Sequence, residues 1–378
     1  MKKSWDVKTE LLVNFKIEMS RSVFSVDNKS ILEFGNNTPG SRRLVLVDAE
    51  VFRHKSDLIK NYFNHHQIEA KIIPIEISEE EKNLENLLVI LNSMENFSIL
   101  RRSEPLICVG GGVLLDMGGF AASLYRRGIP YIKVPTTLLS IVDASVGVKT
   151  SINHFDRRNR IGSYYPPQAA YLDRDFLDTL PEKEITSALG EILKMAVVKN
   201  KGLFKLLEVD IEKQISSKFL SGTVAEEIIF TSVDDMIAEL KPNLWEKNLK
   251  RLVDFGHSFS PLAEMRSLEN PDVKSLPHGE AVALDVIFSS CLSHHRNLLS
   301  KKELKRIINL ARRMKLPVYH KSFCDEILMW EALQDTIKHR DGAQNLPVPI
   351  EIGDSIFLND VEFADIISSV EVYKKETK

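Results

Sequence analysis

The sequence has no long apolar run, no cysteine framework and no surplus of one charge, and each lack removes a class of protein. Its three cysteines, Cys108, Cys291 and Cys324, are odd in number and far apart, so they read as reduced thiols and not as a disulfide scaffold. A formal net charge of −3 gives bulk electrostatics no reason to favour nucleic acid or a membrane surface. No apolar stretch approaches the length of a membrane span, and the opening Met1–Glu10 segment is too polar for a signal peptide. A cytoplasmic location is the expectation. Internal repeats and low-complexity linkers are missing. So is the Gly-x-Gly-x-x-Gly dinucleotide fingerprint, which leaves any nucleotide site to be argued from a different glycine turn.

What is present is the composition of a soluble globular protein, 43% hydrophobic and 27% charged, in 378 residues that suffice for two domains. Leu44–Asp48, Ala70–Ile75, Leu106–Val109 and Tyr131–Val134 are β-rich runs separated by helical stretches. The latter include one with Leu84, Leu87, Leu88 and Leu91 in helical register, and another from Gly119 to Tyr125. Strand and helix in alternation predict a parallel sheet covered by helices. Beyond Pro181 the pattern turns to long amphipathic stretches: 184–198, 225–240, 280–298 and 304–314. The expectation is an α/β Rossmann-like domain over residues 1–182 and an all-α domain over 183–378, with a cleft between them.

Several residues stand out chemically. Gly110-Gly-Gly112 follows a strand and opens a helix, where backbone N–H groups and the helix terminus favour a phosphate; it can equally be a tight turn. Asp48, ending an earlier strand, suits a ribose hydroxyl or a helix N-cap. Asp143 and Lys149 sit in an apolar, small-residue segment, where either charge alone is costly, so they pair with each other or with a ligand. Glu191 and Lys194 share one helix face between apolar flanks. His257 follows Gly256, and His278 precedes Gly279. Two neutral imidazoles and a carboxylate can hold a catalytic zinc with one position open, although each histidine taken singly could be structural.

Together these segments resemble the sugar phosphate cyclase family, whose best-known member is dehydroquinate synthase. The stretches that carry the resemblance are Gly110-Gly-Gly-Val with Asp116, Tyr125-Arg-Arg127-Gly, Val134-Pro-Thr-Thr-Leu-Leu, Val142-Asp-Ala-Ser-Val-Gly through Lys149 and Asn153, Asn159-Arg-Ile-Gly, Thr179-Leu-Pro, Glu191-Ile-Leu-Lys194, Phe255-Gly-His257-Ser-Phe and His278-Gly-Glu-Ala-Val-Ala. The resemblance implies NAD and a divalent metal, zinc with cobalt as the alternative, and a homodimer. It places Glu191, His257 and His278 on the metal. It places Asp48, Glu79, Lys82, Gly111, Gly112, Val113, Asp116, Thr136, Thr137 and Thr179 on the NAD site. Asp143, Lys149, Asn159, Lys194, Lys241 and Arg158 fall on substrate and catalytic positions, with Arg158 where lysine is usual. Arg127 matches an arginine that reaches the neighbouring subunit's phosphate site.

The departures narrow the expectation. Dehydroquinate synthases carry a second histidine where this chain has Pro261 and an asparagine where it has Asp254; either Lys250 or Arg251 takes the place of a single arginine. These differences, with Lys241-Pro-Asn-Leu-Trp-Glu246 and the His339-Arg-Asp-Gly stretch, resemble the branch that cyclises sedoheptulose 7-phosphate, with 2-epi-5-epi-valiolone as the implied product. Asp254 and His339 are the pair expected to orient the open-chain intermediate. The implied reaction is transient oxidation by NAD, β-elimination of phosphate, reduction, ring opening and aldol closure. In such a sequence Lys149, Lys194, Arg127 and Arg158 would hold the phosphate. The rival readings are dehydroquinate synthase itself, another sedoheptulose 7-phosphate cyclase making 2-epi-valiolone or desmethyl-4-deoxygadusol, a metal-dependent polyol dehydrogenase, and a non-catalytic NAD-binding protein.

Overall fold

The computed structural model describes residues 3–155, 157–269 and 276–378. It begins with β1 (Lys16–Ser20), β2 (Arg42–Asp48), α1 (Ala49–His65), β3 (Glu69–Ile75), α2 (Leu84–Phe97), β4 (Leu106–Gly110), α3 (Gly112–Leu124) and β5 (Tyr131–Pro135). A hairpin, β6 (Lys149–His154) and β7 (Arg157–Tyr164), precedes β8 (Ala169–Asp173). Six strands form one sheet in the order β1-β8-β5-β4-β2-β3, with every neighbour parallel. β2 shows why. Leu44 and Leu46 face a core shared with Leu106, Cys108 and Met117, while Val45 and Val47 face another with Ile107, Val134, Tyr62 and Phe63. A strand buried on both faces must be apolar throughout, and that is how its run reads in the sequence.

From β2 the chain moves to β3 on one side, then returns to β4 on the other. The topological switch point, where open parallel sheets bind ligands, therefore lies at the carboxyl ends of β2 and β4. Asp48 and Gly110 end those two strands. The β6–β7 hairpin is antiparallel, stands apart from the sheet and packs on α3.

The remainder is α4 (Glu182–Val198), α5 (Lys201–Ser216), α6 (Thr223–Leu240), α7 (Ser260–Glu269), α8 (His278–His295), α9 (Lys301–Arg313), α10 (Glu326–His339), β9 (Leu346–Glu351), β10 (Asp354–Leu358) and α11 (Phe363–Thr377). The second half is helical, as the sequence predicts, with one addition: β9 and β10 pair antiparallel. Two prolines in Leu346-Pro-Val-Pro mask the strand in the sequence. A two-stranded ribbon tolerates them, since each strand has one unpaired edge. The edge strand β1 lies in a region without a sequence motif. No helix among the described residues is long and apolar enough to cross a membrane.

α4 and α8 are buried along most of their length and cross at glycines. A Cβ on Gly190 would stand 2.0 Å from the Gly279 carbonyl oxygen, and one on Gly279 would stand 1.8 Å from that of Ser187. This contact brings Glu191, which follows Gly190, and His278, which precedes Gly279, to the same spot.

Candidate active site

Glu191, His257 and His278 place one ligand atom each within 4.8 Å of one another. The Nε2 atoms of His257 and His278 lie 3.4 and 3.3 Å from Glu191 Oε1. Each imidazole is turned by its other nitrogen. His278 Nδ1 lies 3.1 Å from Glu264 Oε1, and His257 Nδ1 lies 3.3 Å from the Phe255 carbonyl. Such partners fix the tautomer that aims an Nε2 lone pair at a metal. The Glu191 side chain is 1% exposed, and neither oxygen accepts a well-directed hydrogen bond among the described residues, although Lys194 Nζ stands 2.5 Å from Oε2. A buried carboxylate with unsatisfied oxygens between two oriented imidazoles fits a borderline-soft dication such as zinc.

The electrostatics agree. Burial disfavours an ionised Glu191, but Lys194 and the imidazoles win and hold it well below the usual carboxylate range. Burial and the Lys194 ammonium push His257 down to about 3, so it is neutral. Burial also works against the charged form of His278, yet the Glu264 and Glu191 carboxylates overcome it and raise the imidazole to about 10. A dication would take the place of that proton.

A second group of charges adjoins the cluster. Asp143, in the single π-helical turn Ser140–Ala144, is raised by burial and by Glu191, and feels the opposite charges of Lys194, His278 and Lys149. Buried Lys133 of β5 donates to the Ala144 and Gly147 carbonyls at 3.0 Å each, pinning the loop that carries Asp143. Lys149 Nζ meets Glu246 Oε1 at 2.6 Å, and Glu246 also pairs with Arg251. Arg251 in turn holds Asp254 at 2.8 Å, and Arg340 Nε reaches Asp254 Oδ2 at 3.3 Å. Arg251 thus links the line of charges from Lys149 to Arg340, while Lys250 stacks over Phe357.

At the sheet's switch point the first turn of α3 has no side-chain cap, and Gly111 at its N-cap packs against Thr137. Gly112 lies within contact range of Ala144, Val113 is half-buried beside it, and Thr136 is buried with its N–H donated to the Gly110 carbonyl. The uncapped helix terminus beside these glycines suits a pyrophosphate. Asp48 caps α1 through Glu50 N at 2.9 Å while bordering Gly110. Lys82 is nearly buried, pairs with Asp116 at 2.6 Å and donates to Asn159 Oδ1; Glu79 receives Asn153 at 2.8 Å.

Not every residue expected at the site is brought to it. His339 is exposed and lies 3.5 Å from Asp335 on its own helix, so the side chain paired with Asp254 from this stretch is that of Arg340. Thr179 is exposed, bonded to the Phe176 carbonyl, and Lys241 is exposed at the end of α6. Arg127 is exposed with φ at 62°, and among the described residues no ion pair ties it to the cluster. Arg158 contacts two carboxylates, Glu79 and Glu264, where a phosphate contact was expected. Sequence reasoning missed Glu246, Glu264, Asp285 and Lys133. Asp285 accepts from the N–H groups of Ser258, Phe259 and Ser260 at 2.6–2.9 Å, so α8 carries both His278 and the anchor of the His257 segment. The one sequence signal for Asp285 is an acid set in the apolar run Ala281–Phe288.

A parallel sheet with a glycine crevice at its switch point, set against a helical half that presents a buried Glu191 beside two half-buried imidazoles, defines an enzyme fold built for a dinucleotide and a metal. More narrowly, the chain belongs to the 3-dehydroquinate synthase family: the family's N-terminal model matches residues 72–187 and its C-terminal model residues 188–339. It is 40% identical to the 2-epi-5-epi-valiolone synthase of an Actinomyces species, covering 98% of both chains. It is 40% identical to the enzyme of that name from Streptomyces albus, covering 97% of this chain and 89% of the relative. The solved structure of ValA, the 2-epi-5-epi-valiolone synthase of Streptomyces hygroscopicus subsp. jinggangensis with NAD+ and Zn2+ bound, superposes with a TM-score of 0.91 at 38% identity, covering 98% of this chain and 99% of that one.

Proposed function

We propose that this chain is a sugar phosphate cyclase converting sedoheptulose 7-phosphate to 2-epi-5-epi-valiolone with release of phosphate. Residues 1–182 hold NAD, and residues 183–378 hold the metal and much of the substrate site. The observation that carries this reading is the Glu191–His257–His278 cluster with Lys194 against it. The full-length likeness to 2-epi-5-epi-valiolone synthases selects the substrate. When bound, NAD+ supplies a hydride acceptor regenerated within the cycle, and zinc held by the three ligands supplies Lewis acidity toward a substrate oxygen.

The chain's own residues do the rest. Lys149 and Lys194 offer ammonium donors for a phosphate, and Lys149 can exchange its partner Glu246 for one. Asp143 and Asn159 face substrate hydroxyls. Asp254, held from both sides by Arg251 and Arg340, is a fixed acceptor that orients the open-chain intermediate before ring closure. Pro261 removes the hydrogen-bonding side chain that dehydroquinate synthases carry there. The same reading makes the protein a homodimer whose exposed Arg127 completes the neighbouring subunit's phosphate site.

Incubation with sedoheptulose 7-phosphate, phosphate assay and NMR of the product test the assignment. The expected result is stoichiometric phosphate with no net NADH. Accumulating NADH, or phosphate released only from the dehydroquinate synthase substrate, would sink it.

A further inference from the structure

Arg158 of β7 stands where the family usually has lysine, and its surroundings show what the guanidinium does. Its Nε donates to Glu79 Oε1 at 3.0 Å, and its Nη2 lies 3.0 Å from Glu79 Oε2. Its Nη1 meets Oε2 of Glu264 on α7. Glu264 is 3% exposed, and its other oxygen is the partner of His278 Nδ1. Glu79 is also gripped by Asn153, and its loop includes Lys82, the partner of Asp116. A continuous path of charged contacts therefore runs Glu79–Arg158–Glu264–His278–Glu191, from the crevice side of the sheet to the centre of the histidine cluster.

We propose that Arg158 is a positioning residue of the metal centre. It clasps the β6–β7 hairpin and the Glu79 loop to Glu264, and so fixes His278 in the orientation that presents Nε2 to the metal. The two halves of the site then assemble as one unit. This rests on the metal reading given above. Three contacts on two carboxylates call for a planar fork, which a lysine ammonium cannot reproduce. With all three nitrogens committed, Arg158 is not a phosphate holder. Without the guanidinium, Glu264 would be a buried charge short of a partner, free to turn away from His278.

The test uses the full chain stripped of metal, with zinc affinity measured by chelator competition and the visible spectrum recorded after cobalt loading. Glu264→Gln should weaken zinc roughly 10–100-fold, the scale of losing a histidine's carboxylate partner. Arg158→Lys keeps the charge but should weaken zinc roughly tenfold and alter the cobalt spectrum. Glu79→Gln, which touches no metal ligand, should shift affinity the same way by less. Thermal unfolding of the metal-free variants separates misfolding from mispositioning, and Glu79→Gln serves if Arg158→Lys does not fold. Wild-type zinc affinity and cobalt spectrum in both Arg158→Lys and Glu79→Gln would overturn the proposal. If Glu191→Gln also binds zinc normally, the metal reading itself has failed.

Discussion

Glu191 is the residue on which the chemistry turns, because its oxygens are buried, ionised and short of hydrogen bonds. Glu191→Gln keeps the shape but removes the charge. The variant should lose zinc on dialysis and release phosphate more than about a hundredfold more slowly. Metal analysis beside a phosphate assay checks both. His278 gives the pH dependence. Its pKa is raised in the fold to about 10, so in metal-free protein the protonated form contributes stability in mild acid, and that contribution is lost as the pH rises toward this value. Zinc must displace the same proton, so zinc affinity should rise roughly tenfold per pH unit below about 10. Chelator competition and thermal unfolding should therefore show opposite pH trends. A flat affinity would mean that His278 is not protonated in the metal-free fold.

At the scale of elements, the site depends on how closely α4 and α8 cross. Gly279→Ala would drive a methyl into the Ser187 carbonyl oxygen, 1.8 Å from where its Cβ must go. Helix separation or bending is the only relief. Urea unfolding should register a loss of at least about 2 kcal/mol, and zinc affinity should fall in the folded fraction, because Glu191 and His278 move apart with the helices. A variant with wild-type stability would show that the two helices can separate there without cost. The elements themselves were largely legible in the sequence. β2 and β4 are apolar runs buried on both faces, and α9 carries a clean stripe through Ile307, Ile308 and Leu310. β1 and the β9–β10 ribbon were not legible, since short edge strands interrupted by prolines or polar residues have no periodicity to read.

For the whole molecule, the proposed dimer makes a prediction that no single chain can fulfil. Arg127→Ala and Glu191→Gln chains should each be nearly inactive alone. Mixed and reassembled, half the dimers are hybrids in which one site draws an intact arginine from the other chain, so activity should return to about a quarter of wild type. No recovery in verified hybrids would place Arg127 outside the site. The sequence by itself determined the kind of chemistry and the fold class. The glycine turn, the apolar strands and the Glu-x-x-Lys face are local patterns, and local physics suffices to interpret them. Only the tertiary structure decided which charges meet: Arg340 and not His339 on Asp254, Arg251 and not Lys250 between Glu246 and Asp254, Arg158 on Glu264 across 106 residues. The reason is that a buried ion pair depends on the packing of distant helices and hairpins, and no spacing along the chain encodes where two such surfaces close.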